Sequence, residues 1–269
     1  MKKMTRTLMK SAAVSLAAAV LALTVGLGMP SGAGADEADA KRLLKAMSDY
    51  LAAQKAISFV YDTNFEIVTG DLQKLALASS GTLTVNQPDK LRATRTGGFA
   101  DVEMVFDGKT MTLFGKTANL YGQIEVPGTV EHLIDELREK YDRPLPGADL
   151  LASNVYDALM ESVVDLKDLG SGVIGGVECD HLAARANDVD WQIWIAHGDR
   201  PYPCRYVITT KLLTGSPQYS LSITDWKTGA EVAAVDFGFK NSTDAKKMDL
   251  KDLPDTDELP SIFAVGGAK

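Results

Sequence analysis

Apolar residues recur at two different periods along this chain, and the change of period is its main structural signal. From Ala40 to Gln54 the residues Ala40, Leu43, Leu44, Met47, Tyr50 and Leu51 fall at i, i+3, i+4 and i+7 spacing, which predicts an amphipathic helix. Over 57–67 the period drops to two. Ile57, Phe59, Tyr61, Phe65 and Ile67 are large and apolar, while Ser58, Asp62, Asn64 and Glu66 alternate with them, as in a half-buried strand. Further strands are expected at Leu72–Ala78, Gly81–Asn86, Leu91–Thr96, Val102–Phe106, Thr110–Phe114 and Leu120–Val126. Asp107-Gly108, between two alternating runs, signals a type I′ hairpin because both residues tolerate the positive φ such a turn requires.

A second helical stripe, Val130, Leu133, Ile134, Leu137 and Tyr141, follows Pro127-Gly128 with Thr129 as its cap. It stops before a loop over 142–148 that holds Pro144, Pro146 and Gly147, and a shorter helix is expected from Ser153 to about Val164. Strands are then expected near Val173–Ile174, Val177–Ala184, Asp190–Ala196, Arg205–Leu213, Tyr219–Trp226 and Val235–Phe239, and the segment from Asp244 to the end reads as a loosely held tail. Strand runs on both sides of one helical insertion favour an α+β fold built on a single antiparallel sheet rather than βαβ units. With about eleven strands the sheet is expected to curl into a half-barrel, two or three helices covering its concave side. If sheet and helices fit tightly, the result is an ordinary core. If they do not, a dry cavity remains that accepts an apolar guest.

Composition and charge then narrow the class. The chain has 269 residues, 45% hydrophobic and 24% charged, which excludes a disordered or collagen-like chain. Its net charge of −8 argues against a nucleic-acid partner, since phosphate binding relies on clustered cations. Lys2, Lys3, Arg6 and Lys10, then an uncharged run from Ser11 to Leu27 and the small residues Ala33-Gly34-Ala35, form the three parts of a secretory signal peptide. Cleavage is expected after Ala35, leaving one domain over 36–269 exported to the periplasm. Losing those four cations takes the net charge from −8 to −12. Cys179 and Cys204, 25 positions apart, are free to form a disulfide in an oxidising compartment. In a simple meander around Trp191 they would sit two strands apart, beyond the ~7 Å Cα limit, so the bridge requires a bulge or bend.

Candidate chemistry is sparse. Gly170-Ser171-Gly172-Val173-Ile174-Gly175 matches GxGxxG, but it runs on into another strand instead of opening a helix, so no dinucleotide cofactor is expected. Cys179, His181 and His197 offer soft and imidazole ligands without the paired spacings of a metal site, and His132 sits on a solvated helix face. No GxSxG elbow or activated nucleophile is present, so neither cofactor nor catalytic residue is assigned.

Several blocks resemble a known family: GTLTVNQPDKLRATR (81–95), FDGKTMTLFGKTANLYGQIEVPGTVEHLIDEL (106–137), LPGADLL (145–151), ECDHLAARANDVDWQIWI (178–195) and PQYSLSITDW (217–226). In this order they look like the periplasmic proteins of domain of unknown function family 2092, which is related to the bacterial lipoprotein-carrier fold. The resemblance implies a curled half-barrel closed by helices around an apolar hollow, and a binder or carrier of lipid-like molecules. It carries over Asp107-Gly108 as a hairpin turn, Pro127-Gly128-Thr129 as a helix start, and Trp191 and Trp194 as tryptophans of the central strand. The wall of the hollow is expected at Phe59, Tyr61, Phe65, Met104, Phe106, Met111, Leu113, Trp191 and Ile193. The partner is then a hydrophobic ligand such as an acyl chain or lipidated peptide. The alternative is a cell-envelope interaction module with a filled core, which excludes a cavity of ~300 Å³ or more.

Overall fold

A computed structural model describes residues 37–254. The expected leader, 1–35, lies outside the described residues, as do 255–269. The chain runs α1 (Glu37–Ala53), β1 (Ala56–Val68), β2 (Lys74–Asn86), β3 (Lys90–Gly97), β4 (Asp101–Phe106), β5 (Thr110–Gly115) and β6 (Leu120–Glu125). It continues through α2 (Val130–Tyr141), a 3-10 turn (Ala148–Leu151), α3 (Val155–Met160), β7 (Val163–Ile174), β8 (Val177–Ala186), β9 (Val189–Ala196) and β10 (Pro203–Thr210). The last elements are β11 (Gln218–Thr228), α4 (Ala230–Ala233), β12 (Lys246–Met248) and a second 3-10 turn, Leu250–Asp252. All twelve strands form one open, curled sheet in the order β12-β6-β5-β4-β3-β2-β1-β11-β10-β9-β8-β7. Every pairing is antiparallel except β12 on β6. The expected mainly antiparallel α+β sheet is therefore the observed one.

Helix α1 buries Ala40, Leu44, Met47 and Leu51, the stripe its period marks, and packs on β7 and β9. Ser48, also buried, accepts from Tyr156 N at 3.0 Å, which ties α1 to α3. Helix α2 starts as expected, with Thr129 Oγ1 accepting from His132 N at 3.1 Å.

Several local expectations give way to the sheet. Leu72–Ala78 and Gly81–Asn86 are one strand, β2, because Ser79 and Ser80 stay in the ladder opposite Thr63 and Asp62. Helix α3 stops at Met160, and β-branched Val163 and Val164 open a long β7 instead. Asp107-Gly108 does turn a hairpin, yet only Gly108 has positive φ. The Asp107 carboxylate accepts from Lys109 N and Thr110 N, so an Asx turn replaces type I′.

Val235–Phe239 is not a strand. It belongs to a strap that crosses the outer face of the sheet from β11 towards β6. Phe239 packs on Phe114 and Tyr121 with ring centroids at 5.7 and 5.1 Å, and Arg92 Nη1 donates to Asp236 O at 2.6 Å. Residues 244–254, expected to be loose, form β12 and the second 3-10 turn, with Leu250 and Leu253 buried against the core.

The cysteines correct another expectation. Cys179 on β8 lies opposite Ala196, where β9 ends, and a register shift between Pro203 and Arg205 brings Cys204 over that small residue. The required bulge is present and the pair is 3.0 Å apart, but both are buried free thiols and not a disulfide.

Candidate functional site

The concave side of β1–β5 is built from three cross-strand rows. The innermost, Ile57–Val85–Leu91–Phe106–Met111, consists of buried large side chains in directly opposed positions. The next is Phe59–Leu83–Ala93–Met104–Leu113, in which the central position holds only a methyl group. The outer row is Tyr61–Gly81–Arg95–Val102. Over these rows lies a cavity of about 440 Å³, which Ile57 and Leu91 reach from the innermost row. That is inside the ~300–1,000 Å³ range of ligand sites. It is also about three times the ~150 Å³ at which an apolar cavity stays dry and takes up benzene.

Aromatic rings form much of its wall. Trp226 of β11 is sandwiched between Phe59 (centroids 5.5 Å, planes 8° apart) and Tyr202 (5.0 Å, 9°), while its Nε1 donates to Tyr50 Oη at 3.2 Å. Tyr61 lies across Gly81 and donates to Thr94 O at 2.7 Å. A Cβ on Gly81 would overlap Thr94 O and come within 2.7 Å of the Tyr61 ring, so glycine leaves the room in which ring and carbonyl meet. Phe65 meets Tyr219 edge-on at 6.5 Å.

The roof is the segment 142–151, which carries Leu145, Leu150 and Leu151 into the cavity lining between Leu51 of α1 and Leu137 of α2. Its bend is made at Gly147, whose φ of +80° is left-handed. Burial pushes the Asp149 carboxyl on this roof above its ordinary range. Among the described lining residues the charged ones are Arg95, Asp142 and Arg143. Arg143 Nη2 donates to Leu250 O at 3.2 Å.

Of the nine expected wall residues, Phe59, Tyr61, Phe65, Met104 and Leu113 line this cavity. Phe106 and Met111 share the same face but lie one row deeper, both fully buried. Trp191 and Ile193 lie on the half of the sheet that α1 covers. There Ile193 sits between Leu182 and Tyr206, and Trp191 meets Tyr206 edge-on at 6.3 Å. Those four are core, not wall. Sequence reasoning missed Trp226, Tyr219, Ala93, Arg95 and the whole roof, although three leucines in a proline-rich loop are a usable signal for an apolar lid. On β8 and β9, His181 stacks on Trp194 at 4.0 Å and shares a hydrogen bond with Gln192, and burial lowers its pKa. His197 pairs with Asp180 at 3.5 Å. Among the described residues no cluster of His, Cys, Asp or Glu is placed to hold a metal ion, and no helix is long and apolar enough to cross a membrane.

Solved structures are similar to this chain at low identity. LprF from Mycobacterium bovis is 14% identical over 77% of this chain and 99% of its own, with a TM-score of 0.46. An uncharacterized conserved protein from Thermus thermophilus is 12% identical over 78% and 99%, with a TM-score of 0.44. A LolA superfamily protein from Nitrosomonas europaea is 10% identical over 71% and 94%, with a TM-score of 0.35. No curated protein matches the chain. The family described as predicted periplasmic protein, DUF2092, matches residues 40–251, which is most of the chain including every strand and helix around the cavity, and the protein belongs to that periplasmic family.

Proposed function

We propose that this protein binds an apolar, lipid-like ligand, an acyl chain or lipidated peptide, in the cavity between β1–β5, β11 and the roof, and shields it from water without catalysing a reaction. The observation that carries the reading is the 440 Å³ hollow itself, walled by aromatic and aliphatic side chains in a molecule whose other concave half is filled. Each buried methylene contributes about 0.8 kcal/mol, so a single chain supplies useful affinity with no polar motif. A filled-core interaction module would have no such space. The reading includes export as one unit, 36–269, after cleavage behind Ala35. Organic extraction of protein isolated from the periplasm, followed by mass spectrometry, is expected to release lipid, and the purified protein is expected to take up Nile red that long-chain amphiphiles displace. Protein that carries no lipid and leaves Nile red in solution would overturn the proposal.

A further inference from the structure

Two neighbouring turns at one end of the sheet present leucine to water. Leu72 in the β1–β2 turn is 65% exposed, and Leu212 and Leu213 in the β10–β11 turn are 71 and 60% exposed. Because β1 pairs with β11, the turns lie side by side. Lys74 Nζ donates to Ser216 O at 3.3 Å, and a Cβ on Gly215 would stand 3.1 Å from Val68. Both turns are held by hydrogen bonds: Leu72 N donates to Thr69 O at 2.9 Å and Gln73 N to Thr69 Oγ1 at 3.0 Å, while Ser216 N donates to Leu213 O at 3.0 Å and Lys211 N to Asp188 O at 2.9 Å. Leu72 has a φ of +69°, a conformation that turn chemistry gives to Gly, Asn or Asp. Leucine there suits neither the backbone nor the solvent, and breaks of a local rule concentrate at functional sites.

The turns also prolong the cavity. Phe65 and Tyr219, opposite each other, are lining residues on β1 and β11, and Leu77 faces Phe65 from β2. The next row on the same face of β1 and β2 is Ile67–Leu75, half-buried, and the turn follows directly. An apolar track thus runs from the hollow to the exposed leucines. We infer that this end of the sheet docks on a lipid bilayer by inserting Leu72, Leu212 and Leu213, and that apolar ligand passes between membrane and cavity along the Ile67–Leu75 row. The docking goes beyond the proposed function, and only the passage rests on it. Three leucine side chains bury roughly 60–120 Å² each on the transfer scale, far below the ~800 Å² that a stable protein partner takes from one side. A fluid apolar layer needs no shaped groove. Charge favours a neutral membrane surface, since the chain is acidic at −8 and the lysines flanking the turns are paired, Lys74 with Glu66 at 3.1 Å and Lys211 with Asp190 at 3.4 Å.

Flotation of the purified protein with phosphatidylcholine vesicles tests the docking. Binding is expected, and it should weaken when a third of the lipid is phosphatidylglycerol, with added salt closing the gap by screening the repulsion. Leu72→Asn, which suits the left-handed φ, Leu212→Ser and Leu213→Ser should each weaken binding about tenfold, the worth of transferring a leucine side chain. Uptake of Nile red from solution should stay at the parent level in all three. Leu213→Trp keeps an apolar tip and should bind as the parent does, with its added fluorescence quenched by brominated acyl chains. A parent protein that stays off the vesicles, or a triple polar variant that floats as well as the parent, overturns the docking while the cavity reading stands. So does a dimer in sedimentation velocity that the three substitutions dissolve, because the leucines would then seat a second copy. Leucine-dependent vesicle binding by a protein that takes up no Nile red upholds the docking and removes the cavity reading.

Discussion

The two halves of the concave face start from the same alternation and end differently. On β7–β10 the inward side chains include Leu166, Leu182, Trp191, Ile193 and Tyr206, all buried, and α1 lies over this half with Ala40, Leu44 and Met47 fully enclosed. On β1–β5 the two inner rows are just as apolar, but their cover is the 142–151 segment, whose 3-10 turn encloses no side chain. A helix presents a regular stripe that interlocks with strand side chains, whereas a bend set by Pro144, Pro146 and Gly147 holds three leucines at its own spacing. With only a methyl group at Ala93 in the middle of the floor, that spacing leaves the gap unfilled. Whether an apolar sheet face becomes core or cavity is thus decided by the covering element, not by the strands.

The largest expected effect separates the halves by stability. Ile193→Ala in the filled half should cost about 2–5 kcal/mol, the range for truncating a fully buried aliphatic residue. Met104→Ala, already facing a void, should lose less than half as much. Urea unfolding of both variants measures the difference, and equal losses would mean that the two halves are packed alike.

Enlarging a small residue should do the reverse. Ala184, wedged between Leu166 and Trp191, has no room, and Ala184→Leu should cost about 1–3 kcal/mol through overpacking. Ala93→Leu should hold stability or raise it by up to about 1 kcal/mol, as cavity filling does. It should weaken palmitate about tenfold, the displaced burial of roughly two methylenes. Thermal unfolding beside dye displacement reads both quantities on the same samples.

This contrast also explains what was legible beforehand. Alternation identifies which side chains share a face, such as Phe59, Tyr61 and Phe65 on β1, Met104 and Phe106 on β4, Met111 and Leu113 on β5 or Trp191 and Ile193 on β9, and leaves open which face is inward. It cannot rank rows by depth or say which row a helix covers, because those follow from pairing register and from contacts between distant segments. Phe106 and Met111 are sealed in the innermost row, of which Ile57 and Leu91 do reach the hollow, and Trp191 and Ile193 lie under α1. Arg95 was readable in principle, since its parity with Leu91 and Ala93 is a property of the chain, whereas the pairing of Trp226 with Phe59 is set by β1 lying beside β11, a partner far away in sequence.

Strands β8 and β10 also carry buried acids that titrate only at high pH, two of them in a small cluster separate from the main core. Burial pushes the Cys179 and Cys204 thiols above their ordinary value of 9.0. A group whose folded pKa is raised lends stability that is complete below its unfolded value and disappears as pH climbs through the folded one. Reduced protein should therefore lose stability as pH rises beyond about 9. Cys179→Ala/Cys204→Ala should flatten that decline, leaving the part due to buried Tyr206, which is raised from 10.0 for the same reason. Urea midpoints across this interval, compared between the two proteins, are the measurement.

The smallest expected effect falls on the roof and shows why this cover is the weaker one. Asp149 sits between two residues that line the cavity, and desolvation holds its carboxyl above the ordinary 3.8 even though the positive charge of Arg138 pulls the other way. By the same linkage its contribution is complete below that value and is lost as pH rises through the raised one, so at neutral pH the ionised carboxylate no longer supports the folded state. Asp149→Asn should raise the thermal midpoint at neutral pH, with the gain vanishing in acid, where the native carboxyl is already protonated. The variant should also release bound Nile red more slowly at neutral pH if the roof is what the ligand passes. A variant with the stability gain and an unchanged release rate would place the exit elsewhere and leave the roof as a fixed wall.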